Sequence, residues 1–412
     1  MTEFLNLLSP QDAIKLLEKN LAKDFLQIVM IPTIESLGKV VARDIRSLHP
    51  LPYFPRSMVD GYAVYSSDTF GASDSLPTYL ALIGEVQMGK NTNYVHALGQ
   101  AFLIHTGGML PSNSDAVIMV EDTQKVDTDE VEIRKAVAPG ENVLGIGEEI
   151  GKDEVVIPAG VKMRSVEIGG LMALGIMDLA VRASPKIGII SSGDEIVQPN
   201  QELRNGQVRD VNSYLLSALV TQWGGDPIPY GIVPDNLNDL LVVAKRAHAE
   251  CDVVIFTAGS SVSMRDMTAE AIKSLGKPGV LAHGVNIRPG KPTILAVCSG
   301  KPVIGLPGNP VSAYVTAKLF VAPLIRYLLG LKNEGFQPTI RAELQANVPS
   351  QAGREDWVPV KLEKFGNDWK AIPIFTKSNF IFSLVSSSGL MCIPADHTGA
   401  EAGEFVDVFL CD

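Results

Sequence analysis

Cysteine is scarce: the chain of 412 residues holds four, Cys251, Cys298, Cys392 and Cys411, far apart and without a CxxC pair. That spacing offers neither a disulfide framework nor a zinc ribbon, and a reducing cytoplasm is the simpler setting. Histidine is nearly as rare, six residues with no HxH or HExxH spacing, which argues against histidine-bound zinc. Positive charge is in deficit. Against 46 Asp and Glu stand 35 Lys and Arg, a net charge of −11, and this balance disfavours a nucleic-acid backbone as the main partner. The first residues lack the basic and apolar segments of a secretory signal. No membrane span is read either, because stretches such as Leu319 to Leu331 are interrupted by Pro323 and Arg326 and fall short of the roughly 20 residues a span needs. Walker A, GxGxxG and GxSxG strings are all missing.

What is present describes a folded chain, with 46% hydrophobic and 20% charged residues. At roughly 150 residues per domain its length suggests about three domains. Ser9-Pro10-Gln11-Asp12 predicts a helix start, with Ser9 as cap and Ala13, Leu16, Leu17 and Leu21 as its apolar face. Prolines 50, 52 and 55 then introduce short β-like runs such as Thr78 to Val86 and Ala116 to Val120, a β-rich insertion down to about residue 140. Glycine-punctuated pieces over 141–183 read as a connecting domain. From Pro185 to about Gly330, strand-like runs (Ile187 to Ser191, Val253 to Thr257) alternate with helical ones (Tyr214 to Val220, Met267 to Leu275, Ser312 to Leu329), the α/β pattern. After Gly335, short strands such as Trp357 to Leu362 and Phe405 to Leu410 suggest a small barrel or sandwich.

Three strands of the α/β region end in small-residue loops: Ser191-Ser192-Gly193-Asp194-Glu195, Thr257-Ala258-Gly259-Ser260-Ser261-Val262-Ser263 and Leu306-Pro307-Gly308-Asn309-Pro310-Val311-Ser312. Ligands of open α/β sheets bind at such strand ends, and amides exposed at a following helix start favour phosphate or another oxyanion. Two of the loops also bring acids, Asp194 and Glu195 in the first and Asp266 after the second. Carboxylates beside a phosphate call for an intervening Mg²⁺. Asp266 reads equally as the cap of a helix beginning near Met267, and Asp235 as part of a Pro-Asp-Asn turn. Positive charge for an anion is offered by Arg288-Pro289-Gly290-Lys291-Pro292, a loop stiffened by prolines. Arg56 to Ala63 and His105 to Pro111 are dense in turn formers but carry reactive side chains.

At these segments the chain resembles the molybdopterin molybdenumtransferase (MoeA) family, whose animal relative is the E domain of gephyrin. The resemblance rests on Ser57-Met58-Val59-Asp60-Gly61-Tyr62-Ala63, Thr106-Gly107, Ser192-Gly193-Asp194-Glu195, Arg288-Pro289-Gly290-Lys291-Pro292 and Pro307-Gly308-Asn309-Pro310-Val311-Ser312, and runs over nearly the whole chain. It implies a multidomain α/β plus β chain of four domains: residues 1–49 with 141–183 as a discontinuous connecting and dimerisation domain, 50–140 as the β-rich insertion, 184–332 as the adenylyltransferase-like molybdopterin-binding domain, and 333–412 as a small β-barrel. The implied reaction inserts molybdate into adenylylated molybdopterin with Mg²⁺ and releases AMP. The implied assembly is a homodimer whose cleft is completed by the partner's β domain, with a molybdopterin adenylyltransferase as a candidate further partner.

Carried over by motif, Glu195 and Asp266 hold Mg²⁺ with Asp235 nearby, and Asp60 and Thr106 come from the partner chain. Arg288, Lys291 and Ser312 bind molybdate or the pterin phosphate, and Gly193, Asp194, Asn212, Gly259, Ser261, Ser263, Pro307, Gly308, Asn309 and Pro310 line the pterin and nucleotide cleft. Four departures stand out. The second Gly loop is rebuilt and its run to Asp266 shortened, Arg288 stands where the family commonly has Lys, Gly284 where it commonly has a basic residue, and Asn236 where a second Asp is usual. They leave open a molybdopterin-binding scaffold without turnover, or adenylyl transfer onto molybdopterin, as competing functions.

Overall fold

A computed structural model describes residues 7–22, 26–258, 262–331 and 340–411. The first helix spans Pro10–Asn20, and the Ser9 side chain accepts a hydrogen bond from the Asp12 amide, as the cap sequence predicts. Its apolar face packs mainly on segments far along the chain. Ala13 and Leu17 are buried with Leu295, Phe320 and Leu324, in the core of the α/β region.

The connecting unit therefore begins its own packing at Ile28–Pro32, which pairs antiparallel with Asp178–Arg182. Ile45–Arg46 likewise pairs with Val155–Ile157, and Arg56–Ser57 with Val143–Leu144. Two segments separated by about a hundred residues thus close over the core of Val41, Met163, Leu171 and Val181. Between them lies a six-stranded sheet ordered Ala116–Met119, Gly61–Val64, Gln100–Ile104, Thr78–Glu85, Glu130–Ile133 and Thr123–Asp127.

The α/β sheet is ordered Asp226–Val233, Lys186–Ser192, Val253–Ala258, Lys301–Pro307, Ile294–Cys298 and Pro278–His283. The first four strands run parallel, Ile294–Cys298 runs opposite to them, and Pro278–His283 is antiparallel to Ile294–Cys298 and so runs with the first four. Helices Asn212–Gln222, Leu237–Glu250 and Val262–Lys273 cover it. The last of these starts earlier than its periodicity suggested, so Asp266 lies within the helix and does not cap it.

The segment read as Ser312 to Leu329 is one helical run, α over Pro310–Thr316, π over Ala317–Val321 and α again over Ala322–Leu328. Pro323 explains the wide turn. It has no amide for the carbonyl four residues back, and the added residue of a π-turn lets the chain pass without a break. This run is apolar and long enough to cross a membrane, but it is 83% buried inside the fold.

The terminal strands close into a five-stranded barrel. Glu355–Phe365 pairs with Asp368–Pro373 and Gly389–Ile393, while Ile340–Leu344 and Phe405–Leu410 complete the ring. All four cysteines are free thiols.

Candidate active site

Four connections share one edge of the α/β sheet. They follow Val233, Ser192, Ala258 and Pro307, the carboxyl ends of the parallel strands, as the topology of such sheets requires of a site. The antiparallel pair Pro278–His283 and Ile294–Cys298 turns at the same edge, so the Arg288 to Pro292 loop joins them there.

Acids occupy one end of this edge. The Asp235 amide donates to Asp194 Oδ1 at 3.0 Å, tying the loops after the first two strands together. Glu195 is exposed beside them, and its backbone carbonyl accepts from the Val208 amide at 2.8 Å. Burial, then repulsion from Asp194 and Glu195, pushes the Asp235 carboxyl above its ordinary range. Asp266 is exposed on its helix and is not among the charges acting on Asp235. Among the described residues no three acidic, histidine or cysteine groups meet at metal-ligand distances.

The raised Asp235 carboxyl has a stability consequence whose sign is fixed. A carboxyl whose pKa is higher in the folded state loses stability as pH rises through that value and recovers it below the ordinary carboxylate range. Asp235→Asn is therefore expected to melt higher than the parent protein at pH 7 to 8. Thermal melts taken toward pH 4 should show the gap shrink, and a lower melting temperature for the variant at pH 8 would contradict the assignment.

The centre of the edge is polar and incompletely paired. Asn212, buried at the start of its helix, donates through Nδ2 to Thr257 Oγ1 and to the Gly308 carbonyl, both at 2.8 Å, which clamps the second and third loops. This orientation leaves Asn212 Oδ1 buried without a partner, and Ser191 Oγ, Ser213 Oγ and Asp235 Oδ1 share that condition. Each such orphan costs about 1–3 kcal/mol, so their concentration at one edge marks a place built for a ligand. Gly193 closes the first loop by donating to the Val233 carbonyl at 3.3 Å. Gly259 and Ser261 lie outside the described residues, as does the side chain of Ser263.

Cations occupy the other end, in a cleft of about 860 Å³ between the α/β domain and the barrel. Arg288, Lys291 and Ser312 line it together. Gly290 holds their loop at φ +117°, and a Cβ there would lie 2.4 Å from Thr316 Cγ2. The barrel adds residues that carry no motif. Asp356, buried, accepts from Arg354 Nε at 2.8 Å and lies 3.7 Å from Arg288 Nη1, so one carboxylate aims two guanidinium groups. Ser378 reaches back to the third loop, where its carbonyl accepts from the Val311 amide at 3.0 Å and its Oγ from Asn309 Nδ2 at 2.9 Å. This helix start, read from sequence as open amides beyond Pro307, Gly308 and Pro310, is thus partly filled by the barrel.

Asp60 and Thr106 meet each other but on the insertion sheet. The Thr106 amide and Oγ1 both donate to Asp60 Oδ1, at 2.7 and 2.9 Å, and hold its carboxyl below the ordinary range. The pair is exposed, and no described hydrogen bond links it to the α/β edge.

Comparison with known proteins agrees along the chain. Residues 8–175 match the model of the MoeA N-terminal region (domain I and II), 188–327 match one described as "Probable molybdopterin binding domain", and 341–411 match the MoeA C-terminal region (domain IV). A Methanocaldococcus jannaschii protein named for molybdopterin biosynthesis is 38% identical over 390 residues, 92% of this chain and 91% of its own. The molybdopterin molybdenumtransferase of Staphylococcus epidermidis is 32% identical over 379 residues, 92% and 90% of the two chains. The molybdopterin biosynthesis MoeA protein of Pyrococcus horikosii, solved by crystallography, superposes with a TM-score of 0.85 at 35% identity, covering 98% of this chain and 99% of that one. The chain belongs to the molybdopterin molybdenumtransferase (MoeA) family, enzymes of molybdenum cofactor biosynthesis.

Proposed function

We propose that this chain inserts molybdate into adenylylated molybdopterin with Mg²⁺ and releases AMP. The observation that carries this reading is the segregation of charge along one sheet edge. Asp194, Glu195 and Asp235 stand at one end and Arg288, Lys291 and Arg354 at the other, with the orphaned oxygens of Ser191, Asn212 and Ser213 between them. From the Lys186–Ser192 strand to the Ile294–Cys298 strand is three strand spacings, roughly 14 Å. That is the span of an extended dinucleotide-like substrate, whose metal-bridged phosphates would face the acids and whose other anionic end would face the cations.

The acid group suits Mg²⁺ because it is loose. This ion keeps several waters and takes one or two carboxylates plus substrate phosphate oxygens, so a closed cage of protein ligands is not expected. Bound there, it would withdraw negative charge from the phosphoanhydride as AMP leaves. Glu195 and Asp235 would hold Mg²⁺ at the acid end of the edge, Asp194 fixes the turn that carries Asp235, and Asn212 locks the loops at the centre. Arg288, Lys291 and Ser312 orient the oxyanion to be inserted, with Asp356 keeping both arginines aimed.

The site is completed, in this reading, by a second copy of the chain that presents Asp60 and Thr106. The connecting unit supports it, since Ile28, Val29, Met30, Ile34, Leu37, Val166 and Met177 are exposed apolar residues of one unit, a surface suited to a twofold contact.

The test is incubation of purified protein with adenylylated molybdopterin, Mg²⁺ and molybdate, following AMP and the metallated cofactor. AMP release that requires both Mg²⁺ and molybdate is the expected result. Tight pterin binding without turnover would replace this reading with a scaffold, and consumption of ATP with free molybdopterin would replace it with adenylyl transfer.

A further inference from the structure

The cleft between the α/β domain and the barrel continues beyond its charged groups. Arg288, Lys291, Arg354 and Lys377 line it, and Asp356 is the one carboxylate among its described lining residues. On the barrel side its wall includes Ile374, Phe375 and Thr376, and the same three residues border a second hollow of about 490 Å³. That hollow differs in character. Phe375, Phe380 and Phe382 line it, and no charged side chain is among its described lining residues.

All three rings are exposed. A single exposed apolar residue is ordinary, but three aromatic rings between residues 375 and 382, grouped round one hollow beside a polar cleft, form a contiguous patch of the kind that receives a ligand. The backbone that carries them is pinned along its length. The Ile374 amide donates to the Pro359 carbonyl at 2.8 Å, the Ser378 carbonyl accepts from the Val311 amide at 3.0 Å, and the Phe380 amide donates to the Lys377 carbonyl at 3.0 Å. Phe375 is thus carried between two anchors, so little order has to be gained on binding. Asn379 stands at the same hollow, with an amide able both to donate and to accept at the edge of a heterocycle.

We propose that this aromatic hollow is the subsite for the pterin ring of the substrate, with Phe375 stacking on its face and Phe380 and Phe382 completing the aromatic wall. The inference deepens the proposed reaction and rests on it. In molybdopterin the dithiolene that receives the metal is carried by a ring fused to the pterin, so an oxyanion held by Arg288 and Lys291 keeps the pterin close to the wall of the same cleft. The adenine lies across the phosphoanhydride, toward the acids. A flat, uncharged heteroaromatic ring joined to an anionic end matches an uncharged aromatic hollow joined to a cationic cleft.

The experiment titrates molybdopterin and, separately, AMP into the parent protein, Phe375→Ala, Phe375→Tyr and Phe382→Ala by anaerobic calorimetry, and runs the same proteins in the AMP-release assay. Phe375 is 66% exposed and Phe382 76%, so the fold should survive truncation, which melting curves verify. Phe375→Ala is expected to weaken molybdopterin binding about tenfold, the scale of one lost stack on an aromatic side chain, with Phe382→Ala weaker in the same direction. Phe375→Tyr should bind as the parent does, and AMP should bind all four proteins alike. In turnover the loss should appear in KM with kcat little changed, as for an interaction made equally in ground and transition states. Equal molybdopterin affinity in the parent and Phe375→Ala would overturn the proposal. So would a loss confined to AMP, which would give the hollow to adenine, or a change of oligomeric state in Phe375→Ala by sedimentation, which would make it a contact between copies of the chain. A parent that binds molybdopterin through Phe375 but releases no AMP would remove the reaction and leave the subsite standing, whereas a parent that binds no molybdopterin would remove both.

Discussion

On the proposed reaction, Glu195→Gln is expected to lower AMP release by about 10²- to 10³-fold, the scale on which one lost electrostatic contact to a transition state is felt. Glutamine preserves the shape of the side chain and removes its charge. The backbone of the loop should not move, since it is held by the Val208 amide on the Glu195 carbonyl rather than by the side chain. Two further effects follow from the crowding of acids. Fewer negative charges attract the cation, so the Mg²⁺ needed for half-maximal rate should rise, and Asp235, relieved of one repelling neighbour, should ionise more readily. A Mg²⁺ titration of initial rates in both proteins checks this. An unchanged rate at every Mg²⁺ concentration would remove Glu195 from the reaction and with it the acid end of the proposed cleft.

Gly61→Ala is expected to cost stability on a comparable scale, about 3 kcal/mol or more, at or beyond the upper end of what overpacking usually exacts. An added Cβ would sit 1.9 Å from the Ile118 carbonyl oxygen and 3.1 Å from Met119 Cα. Those atoms are backbone of the paired strand, in which Gly61 opposes Met119, so no side chain can rotate away. The strand Gly61–Val64 lies within the insertion sheet and supplies Tyr62 and Val64 to its core. Calorimetry should therefore show an early transition belonging to the insertion. Limited proteolysis should release the region around residues 60–135 while the α/β domain persists, and, on the proposed role of Asp60, AMP release should fall with the early transition. A single transition at the parent's temperature would show that the strand pairing tolerates the methyl group.

Much of this molecule is legible locally. Ser9, Pro10 and Asp12 specify a helix start by their own chemistry, and alternating runs with Gly loops specify the α/β sheet and the edge where its ligand belongs. Asp194, Glu195, Arg288, Lys291 and Ser312 stand in loops whose composition already suggests anions and cations. What could not be read is whatever depends on distant packing. Arg354, Asp356 and Ser378 sit in barrel segments with no turn or spacing signal, and they matter only because the barrel docks on the third Gly loop. Asp266 was ambiguous because polar residues at 260, 261 and 263 hid where its helix begins. Pro323 argued for a break that the π-turn absorbs within a buried helix.

The docking of helix Pro10–Asn20 on the α/β core bears on how the chain is made. Its partners include Phe320 and Leu324, some 300 residues downstream of Leu17. At a synthesis rate of about 5–20 residues per second, the helix waits roughly 15–60 s on the ribosome before the surface that buries it exists. During that interval the connecting unit cannot close either, since Ile28–Pro32 awaits Asp178–Arg182. The insertion, whose strands all lie between Gly61 and Ile133, is the first part able to complete its own hydrogen-bonded sheet. The order of assembly therefore runs from the inside of the sequence outward, and the apolar face of an early helix must be kept from other nascent chains until the α/β domain emerges.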